Sequence, residues 1–317
     1  MSGVGPGHDG TIVISSPTDG AAGPSLLTLS PQGEMLLAVR LGDGTIGCWD
    51  AGSGEQRWRV LDGSGAFSLA VIRPPGERML LASGGEDGVC RWDLLTGEPL
   101  PGNLAEGNTI WSVAAGALPD GRSILAGAGH NHLVHRWDAV TGEPFGEPLA
   151  GHRICVKSID ILALPDGSTL IASGGEDEAI RFWDAVSGQP IGITLEGHKF
   201  QVSSLTSTTL PSGQILLASS DHEGDIRRWD AVTREPIGQP IHTAPWGGPV
   251  IAGPAPGGPR LFAICEDKVI RQFNPLTGAL IDASLHGTDV AVGQYPDGTT
   301  MVATSAYLED ITLQPLL

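Results

Sequence analysis

Tryptophan is rare in proteins, and in this chain it returns on a schedule. Trp-Asp pairs stand at Trp49-Asp50, Trp92-Asp93, Trp137-Asp138, Trp183-Asp184 and Trp229-Asp230, with steps of 43, 45, 46 and 46 residues between the tryptophans. A further step of 44 lands on Phe273-Asn274, a worn version of the same pair. A residue that repeats at such a period marks a stacked structural unit, because each unit buries its apolar face on the next one. The signal is one of architecture, and a catalytic centre has no reason to recur in this way.

Two further markers keep the same period. Tight-turn signals occur at Pro31-Gln32-Gly33, Pro75-Gly76, Pro119-Asp120-Gly121, Pro165-Asp166-Gly167, Pro211-Ser212-Gly213, Pro256-Gly257-Gly258 and Pro296-Asp297-Gly298. Proline presets φ for the turn, and glycine takes the positive-φ position that closes it into the next strand. Apolar runs such as Met79-Leu80-Leu81-Ala82-Ser83 follow these turns, so the chain is expected to form seven hairpins. The third marker trails the Trp-Asp pairs: Thr96-Gly97-Glu98-Pro99, Thr141-Gly142-Glu143-Pro144, Ser187-Gly188-Gln189-Pro190 and Thr233-Arg234-Glu235-Pro236.

The period, the Trp-Asp pair and the turn signals together resemble those of WD40-repeat β-propeller proteins, with seven repeats. The resemblance covers roughly residue 10 to the C-terminus. It implies an all-β, seven-bladed ring of four-stranded antiparallel blades. The last unit ends after its third strand, near Ile311 to Leu313, while a β-rich stretch, Thr11 to Ser15, stands before the first hairpin. An open array exposes two sheet edges that invite association. The resemblance implies that the N-terminal strand becomes the outermost strand of the last blade and closes the ring. The expected organisation is a flexible tail over 1–9 and a single propeller over 10–317.

Composition narrows the function classes. The formal net charge is −18, with 36 acids against 18 basic residues, of which Lys157, Lys199 and Lys268 are the only lysines. Such a surface repels phosphate backbones and anionic membranes, so neither nucleic acid nor membrane is an expected partner, while basic or neutral proteins are. No apolar run is long enough for a membrane span, and the first residues show no secretory pattern, so a cytoplasmic monomer is expected. Cys48, Cys90, Cys155 and Cys265 show no CxxC spacing, and the reading is four small buried hydrophobes on strands, with no metal and no cofactor.

Histidines fall into two groups. The resemblance implies a buried network in which a Gly-His histidine bonds an acid in the turn before the third strand, a Ser on the second strand and, through it, the repeat Trp. His152, Ser173, Asp177 and Trp183 fit in full; His198, Ser219 and Trp229 fit with Glu223 as the expected acid. Gly107-Asn108 and Asn131 replace the pattern in the third unit, and the second keeps Ser83, Asp87 and Trp92 without a histidine. His242 with Asp267 and His286 with Asp310 are looser candidates. A Ser/His/Asp set also suits a hydrolase, but no GxSxG elbow is present, and the structural role is the expectation.

The second group projects onto one rim. Just before each turn acid stand Gly42, Glu86, His130, Glu176, His222, Glu266 and Glu309, on the face formed by the loops entering strands one and three. His130-Asn131-His132 adds an HxH spacing that in a strand places both rings on one side, with His135 close by. Positions on different blades are too far apart for a metal, and solvated charge is the plainer reading. The starts of the first strands carry Phe67, Trp111, Lys157 and Ser203 on the same rim, and Phe200 and Trp246 lie in loops leading to it. Trp58 reads as packing on an outer strand.

Two functions follow. The first is a noncatalytic scaffold binding a protein or peptide through Phe67, Glu86, Trp111, His130, Lys157, Glu176, Phe200, His222, Trp246 and Glu266. The alternative is a stand-alone propeller enzyme or small-molecule binder, with His130, His132, His222, Glu86, Glu176 and Glu266 as acid/base groups at the channel mouth.

Overall fold

The structure is a computed structural model that describes residues 11–14, 21–61, 65–76, 78–243, 248–305 and 310–316. The tail expected over 1–9 lies outside the described residues. Seven antiparallel sheets follow one another along the chain. The first contains Ala21–Leu29, Met35–Leu41, Thr45–Asp50 and Gln56–Leu61. In each later blade, too, the first three strands in sequence run outward from the channel, and the Pro-Gly turns join the first to the second. Gly33, Gly121, Gly167 and Gly213 all sit at φ near +85°, the left-handed conformation that selects glycine.

Among the described residues five sheets have four strands and two have three. In the second and fourth blades the outermost position is held by isolated bridges, Val89 with Leu104 and Trp92 with Pro99, then Ile180 with Leu195 and Trp183 with Pro190. A proline meets the tryptophan in the same way in the third and fifth blades, where Leu149–Ala150 and Ile241–His242 complete the outermost position. Second strands such as Thr169–Gly175 and Ile215–Asp221 are buried throughout. They carry consecutive apolar residues, as in Leu170-Ile171-Ala172 and Ile215-Leu216-Leu217-Ala218, because a neighbouring blade covers each of their faces.

The repeat tryptophan lies between blades. Trp137 packs with Leu80, Ala82 and Val89 of the preceding sheet, and Trp183 packs with Ile124, Ala126 and Val134 of its own predecessor. Trp49, in the first blade, packs with Met301, Ala303 and Leu313 of the last. The ring therefore closes, and the seam is sealed as the resemblance implies: Ile12–Ile14 pairs antiparallel with the final strand, Ile12 opposite Leu313 and Ile14 opposite Ile311. The aspartate of each pair is a turn cap. Asp138 Oδ1 accepts from the amides of Val140 and Thr141, and Asn274 Oδ1 accepts from Leu276 and Thr277 in the same way. An amide oxygen serves as well as a carboxylate here, so the worn pair keeps the turn.

An arginine just before the tryptophan supplies a clamp that sequence reading missed. Arg136 Nη1 donates to the Ala185 and Val186 carbonyls of the next blade, and Nη2 donates to Glu147 O of its own. Arg91 does the same with Ala139, Val140 and Pro101, and Arg228 with Pro275, Leu276 and Gln239. All three are buried. The planar fork suits several carbonyls at once, which an ammonium would not. In the fourth blade Phe182 takes this place, and Arg234 lies 5.5 Å over its ring.

Candidate functional site

The buried histidine networks settle first. His152 Nδ1 lies 2.8 Å from Asp177 Oδ1, His152 Nε2 lies 2.8 Å from Ser173 Oγ, and Trp183 Nε1 donates to Ser173 Oγ at 2.9 Å. The neutral tautomer with a proton on Nδ1 satisfies every member: Trp donates to Ser, Ser to His, His to Asp. Burial alone would raise the Asp177 carboxyl, but the hydrogen bond from His152, with help from the Arg153 amide and the Arg181 charge, holds it down at about 2. Ser173 is fully buried, so no substrate reaches its hydroxyl.

In the fifth blade the expected acid is corrected. His198 Nδ1 bonds Asp221 Oδ2 at 2.9 Å, not Glu223, and Nε2 meets Ser219 Oγ at 2.7 Å. Asp221 ends the second strand where the fourth blade has Gly175, and a Cβ on that glycine would come within 2.9 Å of His152 Nδ1. The two blades thus place one carboxylate against the imidazole from alternative positions, and the other position is glycine or a residue turned away. In the third blade Asn131 Nδ2 donates to Asn108 Oδ1 at 3.0 Å, an amide pair in place of His and Asp. His242 pairs with Asp225 instead of the expected Asp267, and His286 is an exposed residue of the sixth blade's outer strand, paired across the ladder with Val269.

The rim is where expected residues converge. The Phe67 and Trp111 rings lie 4.6 Å apart, the Lys157 ammonium sits 4.4 Å over the Trp111 ring, and Lys157 Nζ pairs with Glu176 Oε1 at 2.9 Å. These four residues come from three consecutive blades. The starts of the first strands, Ser68–Ile72, Ile110–Ala117 and Val156–Ala163, bring the first three together, and the following turn of the fourth blade supplies Glu176. Phe67 is exposed, the other three are half-buried, and the Trp111 indole N–H has no acceptor.

His130 joins this cluster through a residue that was read only as filler. Cys155 Sγ lies 3.4 Å from His130 Nδ1, and the Glu176 amide donates to Cys155 O at 2.9 Å. Burial, followed by the Glu176 charge, raises the Cys155 pKa, so the group is a thiol and no nucleophile. Cys155 and Cys265 prove to lie in loops bounding strands, not on strands. Glu86 is exposed on the turn of the second blade, and its carbonyl accepts from Thr109 Oγ1 at 3.4 Å. Phe200 is exposed, and His222 is half-buried with Gln201 Nε2 at 3.5 Å from its Nδ1. Glu266 is exposed in the sixth blade. Among the described residues Glu86, Phe200 and Glu266 share no ring contact or ion pair with the cluster. Trp246 and Glu309 lie outside the described residues.

The HxH expectation fails on backbone geometry. His130 and His132 occupy the turn between Ser123–Gly129 and Leu133–Asp138, with His132 at φ +65°, so strand alternation does not apply. His135 is stacked on Trp137 at 5.7 Å and meets Asn131 Nδ2 at 2.9 Å, and burial lowers its pKa. No group of three or more His, Cys, Asp or Glu among the described residues has metal-holding geometry.

Inside the ring the first strands carry hydroxyls that sequence reading also passed over. The Val113 amide donates to Ser68 Oγ, Ile159 to Ser112 Oγ and Leu205 to Ser158 Oγ, at 3.2, 3.1 and 2.8 Å. Ser204 Oγ donates to Val250 O at 3.0 Å, and Ser25 Oγ donates to Asp289. Each hydroxyl stitches one inner strand to its neighbour, around a cavity of about 760 Å³. The signal was present: Ser25, Ser68, Ser112, Ser158 and Ser204 recur with the tryptophan period.

Comparison with known proteins agrees with this architecture. The family profile described as WD domain, G-beta repeat matches residues 143–184 and 188–230. A solved structure described as "Structure of U3-55K" superposes with a TM-score of 0.74, covering 98% of this chain and 100% of that one at 17% identity. At that identity the likeness speaks for the fold alone. No curated protein matches the chain. Among the described residues no helix is long and apolar enough to cross a membrane. The matched segment carries two WD40 repeats, the same period continues on either side of it, and the described chain forms a seven-bladed β-propeller closed into a ring.

Proposed function

We propose that the protein is a noncatalytic scaffold that holds a protein or peptide partner on the rim bearing Phe67, Trp111, Lys157 and Glu176. The observation that carries this reading is the continuous aromatic–cation–carboxylate cluster these residues form across three blades. Aromatic faces beside a carboxylate favour a basic side chain, and the chain's net charge of −18 draws such a partner in. WD40 propellers in general bind proteins or peptides, which agrees in kind. Lys157 holds the cation position in the free protein, and an arriving arginine or lysine exchanges with it.

The test is a peptide-display selection with the full chain as bait. Peptides with a basic residue flanked by apolar ones should be enriched, and W111A and E176Q should each weaken their binding at least tenfold. Selected peptides that ignore both substitutions but are lost on V186E or V232E, on the opposite face, would overturn the assignment.

A further inference from the structure

The central cavity, whose lining reaches Phe67 at the rim, carries a second site built on other residues. Two opposite charges, Arg40 and Asp289, line it at the seam where the last blade meets the first, and among the described residues neither forms an ion pair. Arg40 comes from the second strand of the first blade and passes over Gly23 of the innermost strand; a Cβ at Gly23 would stand 2.9 Å from Arg40 Cδ. The glycine is the opening through which the guanidinium reaches the cavity, and Arg40 Nε is buried without a hydrogen-bond partner. Asp289 begins the inner strand of the last blade, and its partners are neutral: the Ser25 hydroxyl and the amides of Ser25 and Val290. Burial, only partly offset by those bonds, pushes its carboxyl up to about 6.

We infer that this seam binds a free α-amino acid, its carboxylate on Arg40 and its ammonium on Asp289. A simple anion would satisfy Arg40 but face Asp289 in a strongly acidic chain; a simple amine would reverse the fault. A zwitterion answers both charges at once. Ser25 and Ser305 are polar members of the lining, and the partly exposed Leu69 and Ile251 are its apolar members. The volume of about 760 Å³ lies within the usual range for small-molecule pockets.

The experiment is calorimetric titration of the full chain with the twenty common L-amino acids, each set against its decarboxylated amine and its deaminated acid. At least one amino acid should saturate the protein, with both single-charge analogues at least tenfold weaker. R40M and D289N should each weaken it at least tenfold, while V232E, on the opposite face, should leave it unchanged. Failure of every amino acid to bind would overturn the inference. So would a single-charge analogue that binds as tightly, or binding that survives both R40M and D289N. The analogue comparison uses the unaltered protein, so it decides the matter even where a variant folds poorly.

Discussion

Replacing Ser173 by alanine isolates the contribution of one buried polar network. The hydroxyl accepts from Trp183 Nε1 at 2.9 Å and lies 2.8 Å from His152 Nε2, so S173A leaves two buried ring nitrogens without partners. An orphaned buried polar group costs about 1–3 kcal/mol, which puts the loss near 2–4 kcal/mol after some relaxation. At about 2.1 cal/mol/K per residue, a chain of 317 residues unfolds with an entropy of roughly 0.7 kcal/mol/K. The melting temperature should therefore fall by about 3–6 °C in differential scanning calorimetry. S219A should do the same through His198 and Trp229. S212A, on an exposed hairpin turn, should move it by less than about 1 °C. Losses below about 1 °C for both buried serines would refute the reasoning, because the imidazoles would then have found other partners. A hydrolase role for Ser173 would instead show as lost activity with unchanged stability.

Three other outcomes follow from the geometry. R136M strips the carbonyls of Ala185, Val186 and Glu147 of their donor and should cost about 2–4 kcal/mol in urea denaturation, whereas M in place of Phe182 should cost less than about 1.5 kcal/mol. Burial pushes the carboxyls of Asp160 and Asp289 up to about 6, against hydrogen bonds from Ser207 and Ser25, so the folded chain binds protons more tightly than the unfolded one between about pH 4 and 6. Stability should rise as pH falls through that window; Asp177, held at about 2, should reverse the trend below about pH 4, and D160N with D289N should flatten the rise in a pH series of melting curves. K157M removes the resident cation from Trp111 and Glu176 and should tighten a selected basic peptide about three- to tenfold by fluorescence anisotropy. Equal weakening would instead make Lys157 a direct contact.

The ring itself was legible because its determinants recur. Trp49 to Trp229, the Pro-Gly turns and the orphan strand around Ile12 each repeat or complete a period, and inter-blade packing needs such residues at every step. The rim was half legible: counting back from the turns found Phe67, Trp111 and Lys157, and their contact follows from the closeness of inner strands. What spacing could not tell was which acid faces His198. Asp221 and Glu223 lie two residues apart, and only the backbone of that turn decides between them. The HxH spacing misled for a related reason, since it assumed a strand where His132 has φ +65°. Arg136 and Ser112 were passed over because their partners are backbone groups of another blade, which no side-chain motif announces.

Those overlooked groups bear on how the charge is used. Arg91, Arg136 and Arg228 spend their guanidinium groups on carbonyls inside the ring, while Arg57, Arg59, Arg78, Arg122, Arg181 and Arg271 are matched by nearby carboxylates. Cations buried in the clamps cannot screen the surface, so a solute meets a molecule more acidic outside than its formal balance implies. On such a surface an anion has few places to dock, and a cation has many carboxylates but few that also offer an aromatic face. The Trp111–Glu176 pair offers both. General negative potential can gather basic solutes but cannot choose among them; on the proposed reading the choice would fall to the rings of Phe67 and Trp111, whose contact needs a cation of the right shape at a fixed place on the rim.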